Sequence, residues 1–370
     1  MALRKIFVII SILILLTSAI TVNAGTTIEF KNLNHKENEI SEIFENAIFV
    51  DDDSPYPGNG SFNWPYSNIT YAVENASEND TIIVCNGVYY ENIIVDKRIN
   101  LIGSFDDIIG NDKDGSIIDG RNQRIRLFYI KHDSVKLKDF IIVNGTRGIQ
   151  IDASYTEITG NKIINNYEGI HIWGTYHDNI ISSNEVINSE EDGLTLRNGC
   201  YNNTFINNIF TKNKMTALSI HIANSNNFIG NHVLKNGVGF FLGDSSYNVI
   251  AGNIVEDNDM TGIYLSQSCN NTFNKNYIKN NRNKGIYIRY NSDNNKITNN
   301  NFEGNYPFPA AMWDATKNYW NHNYWNRPRI LPKPILQLKS IGSTQMPFWY
   351  FHLKNVDWHP AIKPNEIGGI

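Results

Sequence analysis

The sequence predicts an all-β protein built as a parallel β-helix, and two repeating patterns support this prediction. The first pattern, apolar-x-x-Asn-x-apolar, recurs at intervals of 22 to 24 residues, with its asparagines at Asn161, Asn184, Asn208, Asn231, Asn253, Asn276 and Asn300. The second pattern, a small residue followed by apolar-x-apolar, keeps the same interval from Gly148-Ile149 to Gly285-Ile286. Two patterns in step over this length are typical of a repeat architecture.

The spacing inside each unit indicates how the units assemble. Each apolar-x-apolar piece has the period of two that is expected of a β-strand, and turn-forming residues separate the pieces. A unit of about 23 residues cannot bury its own apolar face, so successive units stack and share one core. Stacked strands about 4.8 Å apart form parallel sheets that wind into a solenoid. A leucine-rich repeat is the alternative at this period, but its L-x-x-L-x-L-x-x-N signature is absent.

The recurring asparagines are interpreted as scaffold residues. We expect them to form a column at one corner of the solenoid, where they tolerate left-handed backbone dihedrals. Their side-chain amides then bond to the coils above and below.

Composition and charge limit the classes of partner. Charged residues make up 19% of the 370 residues, and the formal net charge is −5. Because the sequence contains no basic stripe, it disfavours nucleic acid as a partner. Cys85, Cys200 and Cys269 do not form a disulfide framework, and we expect them to be small buried residues.

The first 24 residues have the features of a signal peptide. Arg4 and Lys5 precede an apolar run, and Val22-Asn23-Ala24 is a suitable cleavage site. We therefore predict that the mature protein is secreted, periplasmic or located at the cell surface. An uncleaved membrane anchor is the alternative, and only that alternative makes the membrane a partner.

The remaining chain divides into three predicted regions. Residues 25–47 are a polar linker, residues 48–305 are the β-helix, and residues 306–370 are an irregular, aromatic-rich C-terminal cap and extension. Within 66–76, an apolar stripe at helical spacing predicts a short helix that covers the open first coil. The run Asp51-Asp52-Asp53 is interpreted as a solvated turn, with a calcium site as the alternative.

Two segments resemble a known family. Residues 81–103 and 116–120, which include Gly87-Val88-Tyr89 and Asp119-Gly120, strongly resemble the opening coils of pectin-lyase-like right-handed β-helices. The Asn-marked coils, followed by Asn318-Tyr319-Trp320 and Asn323-Tyr324-Trp325, resemble the NosD-like group, whose units are also called CASH repeats. The resemblance implies a right-handed solenoid in a secreted or periplasmic protein. It also implies either help in maturing the copper centres of nitrous oxide reductase, as for NosD itself, or polysaccharide binding, as presumed for many relatives.

The strands that follow the small residues place two columns of side chains on the outer surface. The first column contains Gln150, His171, Thr195, Ser219, Phe241, Tyr264 and Tyr287, and the second contains Asp152, Trp173, Arg197, His221, Gly243, Ser266 and Arg289. Flat rings stack on sugars, and charged groups bind hydroxyls and carboxylates along a groove where a linear polymer fits. The predicted carbohydrate-binding residues are His171, Trp173, Arg197, His221, Tyr264, Tyr287 and Arg289.

Catalysis and metal binding are less favoured by the sequence. Glycoside hydrolysis requires two carboxyl groups about 5 to 9 Å apart, and the weak candidates are Asp152, Asp178 and Asp192, with Glu168 and Glu190-Glu191 nearby. The motifs of polygalacturonases, alginate epimerases and pectin methylesterases are absent. His171 and His221 are expected about 10 Å apart, and without a His-x-His, Met cluster or Cys pair we predict no metal site and no cofactor.

The sequence therefore favours a secreted or cell-surface β-helix that binds polysaccharide or another envelope glycan without cleaving it. Three alternatives stay open: a polysaccharide hydrolase or lyase, a structural or adhesive surface spacer, and a copper-handling accessory protein similar to NosD.

Overall fold

The structure is a computed structural model, and it describes residues 47–103, 115–121, 125–341, 344–350 and 355–367. The predicted signal peptide lies outside the described residues, as does the predicted linker except for Ala47. Within the described ranges, no helix is both long enough and apolar enough to cross a bilayer.

Three parallel sheets run along a solenoid, and each full coil contributes one strand to each sheet. Sheet A consists of β1 (Ile48–Val50), β2 (Thr81–Val84), β5 (Asn100–Gly103), β8 (Lys136–Lys138), β11 (Glu157–Thr159), β14 (Ile180–Ser182), β17 (Thr204–Ile206), β20 (Asn227–Ile229), β23 (Val249–Ala251), β26 (Thr272–Asn274), β29 (Lys296–Thr298) and β32 (Tyr319–Asn321). Sheet B consists of β3 (Gly87–Tyr89), β6 (Ser116–Asp119), β9 (Phe140–Val143), β12 (Lys162–Ile164), β15 (Glu185–Ile187), β18 (Ile209–Thr211), β21 (His232–Leu234), β24 (Ile254–Glu256), β27 (Tyr277–Lys279), β30 (Asn301–Glu303) and β33 (Tyr324–Trp325).

Sheet C carries the longest repeated strands. It consists of β4 (Ile93–Val95), β7 (Arg126–Ile130), β10 (Arg147–Ile151), β13 (Glu168–Trp173), β16 (Leu194–Arg197), β19 (Thr216–His221), β22 (Val238–Gly243), β25 (Thr261–Ser266), β28 (Lys284–Arg289), β31 (Phe308–Trp313), β35 (Leu336–Ile341) and β36 (Thr344–Tyr350). A short antiparallel pair, β34 (Lys333–Pro334) with β37 (Val356–Asp357), and one helix, α1 (Ile69–Asn75), complete the described elements. The predicted parallel β-helix is confirmed.

The core is a continuous stack of inward-facing apolar side chains. Ile170 pairs in register with Leu194, and Leu194 pairs with Leu218 in the next coil. The rings of Phe205 and Phe228 stack with centroids 4.9 Å apart and planes only 6° from parallel. Every coil therefore buries its apolar residues against identical positions in its neighbours, which a single coil cannot do.

The asparagines form ladders at all three corners, not only at the one that the sequence pattern predicted. The A–B corner holds Asn161, Asn184, Asn208, Asn231, Asn253, Asn276, Asn300 and Asn323; the B–C corner holds Asn166, Asn213, Asn236, Asn258, Asn281 and Asn305; and the C–A corner holds Asn179, Asn203, Asn226, Asn248, Asn271, Asn295 and Asn318. In a typical rung, the backbone N–H and the side-chain Nδ2 of Asn184 both donate to Oδ1 of Asn208 at 3.0 Å. The same Nδ2 also donates to the Ile158 carbonyl at 2.8 Å.

The backbone geometry corrects one expectation about these ladders. The ladder asparagines themselves are not left-handed; the residue immediately before each one except Asn318 is, for example Ser183 (φ 54°), Asn207 (φ 53°) and Lys275 (φ 54°). This preceding residue makes the turn, and the asparagine then points inward and satisfies the corner's backbone groups. The left-handed position accepts several residue types because it is exposed, so the sequence conceals it.

Helix α1 covers the first coil, as predicted, and two residues of the recognised opening segment hold its ends. The Glu91 carboxylate accepts the backbone N–H of Ile69 at 2.8 Å and of Thr70 at 2.7 Å. At the other end, Lys97 Nζ donates to the carbonyls of Glu74 at 2.7 Å and of Ala76 at 2.9 Å. A carboxylate at the N-terminus and an ammonium at the C-terminus both complement the helix dipole.

The C-terminal end closes with aromatic rings and one buried acid. Trp320 and Trp325 are the inward-facing residues of the last coil, and the Trp325 ring stacks on Phe302 with centroids 4.6 Å apart. Oδ2 of Asp357 accepts the backbone N–H of Asn323 at 3.0 Å and the indole N–H of Trp325 at 3.1 Å. The extension is more regular than expected, because β35 continues sheet C and β36 pairs with it antiparallel.

The cysteines are free thiols, but only Cys200 is fully buried. Cys85 and Cys269 are half-buried, so the expectation that all three are core residues was wrong for these two.

Candidate functional site

The outer surface of sheet C carries three aligned columns of side chains. The register confirms the first predicted column, since Gln150, His171, Thr195, Ser219, Phe241, Tyr264 and Tyr287 pair in succession. It confirms the second from Trp173 onwards, through Arg197, His221, Gly243, Ser266 and Arg289, whereas Asp152 follows the end of β10 and has no register pair with Trp173. We call these the middle column and the trailing column. The sequence interpretation missed the leading column, which contains Arg126, Arg147, Glu168, Asp192, Thr216, Val238, Thr261, Lys284 and Phe308.

The leading column exists because the strand does not keep strict alternation at its start. A small residue such as Gly169 follows each leading position, and a Cβ there would lie 2.4 Å from the Gly193 carbonyl oxygen of the next coil. Because the glycine has no side chain, neighbouring backbones approach closely at this position. The side chain of the residue just before the glycine then lies on the outer face. A charged residue directly before the recurring glycine, as in Arg147-Gly148, Glu168-Gly169 and Asp192-Gly193, is the signal that could have identified this column.

A network of polar side chains links the three columns over the lower coils. Arg147 Nε donates to Glu168 Oε2 at 2.7 Å, and Arg147 Nη1 donates to Gln150 Oε1 at 2.8 Å. Gln150 Nε2 donates to Asp152 Oδ1 at 3.0 Å, and the Tyr129 hydroxyl donates to Asp152 Oδ2 at 2.7 Å. Asp152 is therefore held as an acceptor in this network.

Glu168 and Asp192 are buried carboxyl groups in adjacent coils of the leading column, and their pKa values shift in opposite directions. Burial alone would raise the pKa of Glu168, but the contact with His171 and the charged hydrogen bond from Arg147 outweigh it and lower that pKa to about 2. Burial raises the pKa of Asp192 above its ordinary value, and the backbone N–H of Thr216, the Ser219 hydroxyl and Arg197 only partly offset this effect. Such a divided pair is typical of acid–base chemistry.

His171 lies between these carboxyl groups and the trailing column. It is only 1% exposed, and its Nδ1 is 3.0 Å from Glu168 Oε2. This separation places the two atoms in contact, although the contact is not a well-aligned hydrogen bond. The other ring nitrogen, Nε2, is buried and has no hydrogen-bond partner in the part of the chain that the structure describes. A buried ring nitrogen without a hydrogen-bond partner is unusual in a folded protein.

Two trailing-column residues stand beside His171. Trp173 is 47% exposed, and its ring centroid is 5.7 Å from that of His171. Arg197 pairs in register with Trp173 one coil further along, and its buried Nε has no hydrogen-bond partner among the described residues. The exposed ring and the neighbouring guanidinium thus face the same part of the surface.

Small side chains form the floor between these groups. Thr195 and Ser219 follow His171 in the middle column, and both are buried. Further along, a Cβ at Gly243 would lie 2.8 Å from the His221 ring, so the absence of a side chain there leaves room for that ring. These short, buried side chains separate the larger residues of the middle column.

The aromatic residues further along the face are partly engaged with one another. The rings of Tyr264 and Tyr287 stack with centroids 5.5 Å apart and planes 21° from parallel. Arg289 Nη1 donates to the Tyr264 hydroxyl at 3.1 Å, and the Arg289 guanidinium lies 5.4 Å from the centre of the Tyr287 ring. These rings present edges and hydroxyls more than open faces, so Trp173 is the predicted ring with the most freely exposed surface.

The three candidate catalytic residues do not converge. Asp178 is a left-handed residue at the C–A corner, just before the ladder residue Asn179, and its carboxylate contacts His177 at 2.7 Å. Asp152 is held by Gln150 and Tyr129. Asp192 is instead next to Glu168, which the sequence interpretation noted as a neighbour but did not select.

Asp51, Asp52 and Asp53 bring three carboxylates within 4.8 Å of one another. Asp52 Oδ2 accepts the Val88 N–H at 3.0 Å, and Asp51 Oδ1 accepts the Asp53 N–H at 3.1 Å. These bonds give the acidic run a structural role in the first turn.

Comparison with known proteins agrees with this architecture. The family described as "Right handed beta helix region" matches residues 169–324, and the family described as "Periplasmic copper-binding protein (NosD)" matches residues 20–219, more than half of the chain. The class of protein is therefore a right-handed parallel β-helix. This chain belongs to the NosD family. No curated protein sequence matches the chain.

Three solved structures show the same fold at low sequence identity. A rhamnogalacturonan lyase superposes with a TM-score of 0.56 at 14% identity, covering 75% of this chain and 87% of that chain. A mutant of DFA-IIIase from Arthrobacter chlorophenolicus A6 superposes with a TM-score of 0.54 at 12% identity, covering 81% and 86%. The Azotobacter vinelandii mannuronan C-5 epimerase AlgE4 A-module gives 0.52 at 14% identity, covering 69% and 83%. At these identities the likeness concerns the fold alone.

Among the described residues, the cluster of three potential metal ligands of the His, Cys, Asp and Glu types is Asp51, Asp52 and Asp53. Copper sites use His, Cys or Met ligands, and within the described ranges the three-residue group of potential ligands contains only carboxylates. Burial raises the pKa of the Cys200 thiol to about 11, which disfavours the thiolate that binds metals. The Cys200 thiol instead contacts the carbonyls of Gly174 and Arg197 at 3.1 Å.

Proposed function

We propose that this chain is an extracytoplasmic β-helix protein that binds polysaccharide along the outer face of sheet C. The observation that carries the proposal is the exposed Trp173 ring beside polar side chains on the outer face of sheet C, which runs along the solenoid. An exposed indole stacks on the apolar face of a sugar, and neighbouring polar groups bind its hydroxyls. Membership of the NosD family, whose proteins are described as periplasmic, supports a location outside the cytoplasm.

The geometry favours a linear polymer over a small ligand. The three columns continue from coil to coil between β13 and β28, so the face extends along the solenoid, whereas small-molecule sites are enclosed. Trp173, Arg197 and His221 follow one another in register, which aligns potential contacts along the solenoid axis. A polymer lying parallel to the axis would meet a new set of side chains about every 4.8 Å.

The proposal is tested by a glycan-array screen of the purified protein, followed by affinity measurements on each hit. Trp173→Ala is expected to weaken binding about tenfold or more. The stacking of a ligand ring on an aromatic side chain contributes about 1–3 kcal/mol to binding. Trp64→Ala is the matched control, since Trp64 is 57% exposed but lies in the loop before α1, away from sheet C.

The array results separate this proposal from the alternatives. Equal loss of binding in both variants, or none in either, would remove Trp173 from the binding face. Silence with every neutral and acidic glycan would leave the structural or adhesive spacer as the better hypothesis. The copper-handling alternative is less well supported, because the cluster of potential metal ligands among the described residues consists of the carboxylates of Asp51, Asp52 and Asp53.

A further inference from the structure

We propose that the C-terminal end of the solenoid docks on an anionic lipid bilayer through residues 327–333, which we call the terminal loop. Two aliphatic residues of this loop, Ile330 and Leu331, enter the lipid interface. Its three cations bind lipid phosphates, and they are Arg327, Arg329 and Lys333. This surface is separate from the outer face of sheet C, and the inference goes beyond the proposed glycan binding. It is also separate from the N-terminal anchor considered from the sequence.

Ile330 and Leu331 are exceptionally exposed for aliphatic residues. They are 92% and 77% exposed, the two highest values for large hydrophobic side chains in the part of the chain that the structure describes. Single exposed apolar residues are common on protein surfaces, but two adjacent ones in a loop present a joint apolar surface. Transfer of this surface from water into a lipid interface is favourable.

The terminal loop is held in place at both ends. It follows β33, whose Trp325 ring packs inside the last coil, and it ends in β34, which pairs with β37. Just after β34, the Ile335 N–H donates to the Asn355 carbonyl at 3.1 Å. Pro328 and Pro332 flank the aliphatic pair, and each restricts the backbone because its ring fixes φ. The exposed side chains therefore project from a braced loop.

An exposed tryptophan lies beside the terminal loop. Lys333 pairs in register with Asp357 in the antiparallel pair of β34 and β37, and Trp358 is the next residue. The Trp358 side chain is exposed. Indole rings are favoured where water meets lipid, because the ring is apolar while its N–H bonds to water or to a headgroup.

The cations of the terminal loop are influenced by one another rather than by acids. Residues 327–356 contain no Asp or Glu. The Nε of Arg329 is buried and has no hydrogen-bond partner among the described residues. Burial and the charge of Arg327 lower the pKa of Arg329, and burial and the charges of both arginines lower the pKa of Lys333. An anion bound among these groups would offset their mutual repulsion.

The charge of the chain is unevenly distributed. Residues 327–370 contain six cations and two acids, whereas the whole chain has a formal net charge of −5. The cations are Arg327, Arg329, Lys333, Lys339, Lys354 and Lys363, and the acids are Asp357 and Glu366. An anionic surface therefore attracts the C-terminal region and repels the acidic remainder. This difference orients the solenoid with its C-terminal end towards the bilayer.

A bilayer explains these features better than two other occupants. A soluble acidic polymer would pair with the cations but would leave Ile330 and Leu331 in water. A second copy of this chain, meeting the same surface, would cover the aliphatic pair but would bring like charges together. An anionic bilayer offers phosphates and an apolar layer at adjacent depths, which matches cations beside an aliphatic pair.

The experiment measures partition of the full chain onto two kinds of vesicle. One kind contains phosphatidylcholine alone, and the other contains equal parts of phosphatidylcholine and phosphatidylglycerol. We expect partition onto the anionic vesicles to be about tenfold stronger or more, and to weaken as salt screens the cations. Any contribution of residues 1–24 is common to the wild type and to every variant.

Four substitutions test the two kinds of contact. Ile330→Ser and Leu331→Ser are each expected to weaken partition about tenfold, with the salt dependence retained. Arg327→Gln and Arg329→Gln are each expected to weaken it about fivefold and to reduce the salt dependence. The melting temperature of the serine variants is expected to match the wild type, because the replaced side chains are exposed.

Two matched variants serve as controls. Ile180→Ser removes an exposed aliphatic side chain from β14 on sheet A, and Lys235→Gln removes an exposed cation at the corner before Asn236. Both positions lie in the middle coils, away from the terminal loop. Partition of both variants onto anionic vesicles is expected to equal that of the wild type.

The outcomes are distinguishable. Equal partition onto both kinds of vesicle, or wild-type partition in folded Ile330→Ser and Arg327→Gln proteins, would overturn the proposal. Binding to heparin in solution without binding to vesicles would show a soluble polyanion as the partner and would also overturn it. So would a dimer that is lost in Leu331→Ser, if no vesicles are bound. Glycan binding by these variants is expected to be unchanged, so the two proposals fail independently.

Discussion

At the residue scale, Glu168 and Asp192 show that a few neighbouring groups determine the pKa of a buried carboxyl group. They are both acids, they occupy the same column in adjacent coils, and both are buried. Arg147 and His171 contact Glu168 directly, whereas Asp192 has one backbone N–H at 3.0 Å and more distant hydroxyls. The pKa of Glu168 falls to about 2, and burial raises the pKa of Asp192.

The first prediction concerns the stability cost of Asp192. Because its folded pKa is raised, its stability contribution is fully present below the ordinary pKa of 3.8 and is lost as pH rises through the raised value. Asp192→Asn avoids this loss and still accepts the Thr216 N–H. We expect its melting temperature at pH 7 to exceed that of the wild type by about 1–3 °C. The gain should disappear near pH 3.

Thermal unfolding followed by circular dichroism from pH 3 to 8 measures this difference. A lower melting temperature for Asp192→Asn at pH 7 would contradict the assignment of a destabilised carboxylate. A more stable variant with weaker glycan binding would be the signature of a residue kept for function rather than for folding.

Glu168 gives the opposite prediction. Its folded pKa is about 2, below the ordinary value of 4.5, so its contribution is present above pH 4.5 and is lost as pH falls towards 2. Glu168→Gln should lower the free energy of unfolding at pH 7 by roughly 1–3 kcal/mol, since Arg147 and His171 lose a charged partner. Urea unfolding at pH 7 and pH 2.5 checks this, and equal losses at both values would contradict it.

Residue-scale properties were only partly predictable from the sequence. The pattern placed Trp173, Arg197 and His171 on one face, because strand alternation fixes which residues point outward. It did not reveal that His171 is buried, since burial depends on side chains from neighbouring coils. It also missed the outward position of Glu168, because the glycine that follows breaks the alternation on which the prediction depended.

At the scale of elements, the corner asparagines link neighbouring coils by hydrogen bonds, as the strands do. A ladder asparagine within the run typically donates twice to the next rung and once to a carbonyl of an earlier coil, as Asn231 does to Asn253 and to Phe205. The column was predictable, because asparagine recurs at one spacing in the sequence. The ladders at the other two corners were not identified, although Asn179 and Asn166 begin runs of similar spacing, because their neighbours are less regular.

The third prediction tests this ladder. Asn231→Leu removes the acceptor of the two Asn208 donors and the donor to Phe205, so it should lower the free energy of unfolding by about 2–4 kcal/mol. Asn227→Leu is the control, since Asn227 belongs to the same coil but lies half-buried on the outer side of sheet A. We expect that change to cost less than about 0.5 kcal/mol.

Chemical unfolding of both variants provides the measurement, with glycan affinity measured in parallel. An unchanged midpoint for Asn231→Leu would refute the ladder as a source of stability. A changed glycan preference would show that the corner communicates with sheet C, which the scaffold interpretation does not expect.

At the scale of the whole molecule, residues outside the repeat cap the two ends of the solenoid. Helix α1 and its partners Glu91 and Lys97 cover the first coil, while Trp320, Trp325 and Asp357 close the last. The sequence predicted the helix from its apolar stripe and the aromatic cap from its tryptophans. It did not reveal Asp357, which is 34 residues away from Asn323 along the chain and meets it only in the folded protein.

The fourth prediction concerns that acid. Asp357→Ala leaves the Asn323 N–H and the Trp325 indole N–H without their acceptor, so the last coil should open more often. Hydrogen exchange at the Asn323 amide is expected to accelerate about tenfold or more. The Asn184 amide, several coils away, should be unaffected. Uniform acceleration along the whole ladder would instead indicate global destabilisation.

The Asp357 contact has a consequence for self-assembly. Each rung donates towards the C-terminus, from Phe140 into Asn161 at the start to Asn323 at the finish, so the stack has a direction and its two ends are chemically unlike. Uncapped, the donor end of one copy would complement the acceptor end of another, and the molecules would join head to tail into a fibre. A carboxylate from the chain's own extension occupies that docking position first. The caps therefore limit the length of the solenoid, because the repeat itself would allow further coils to be added.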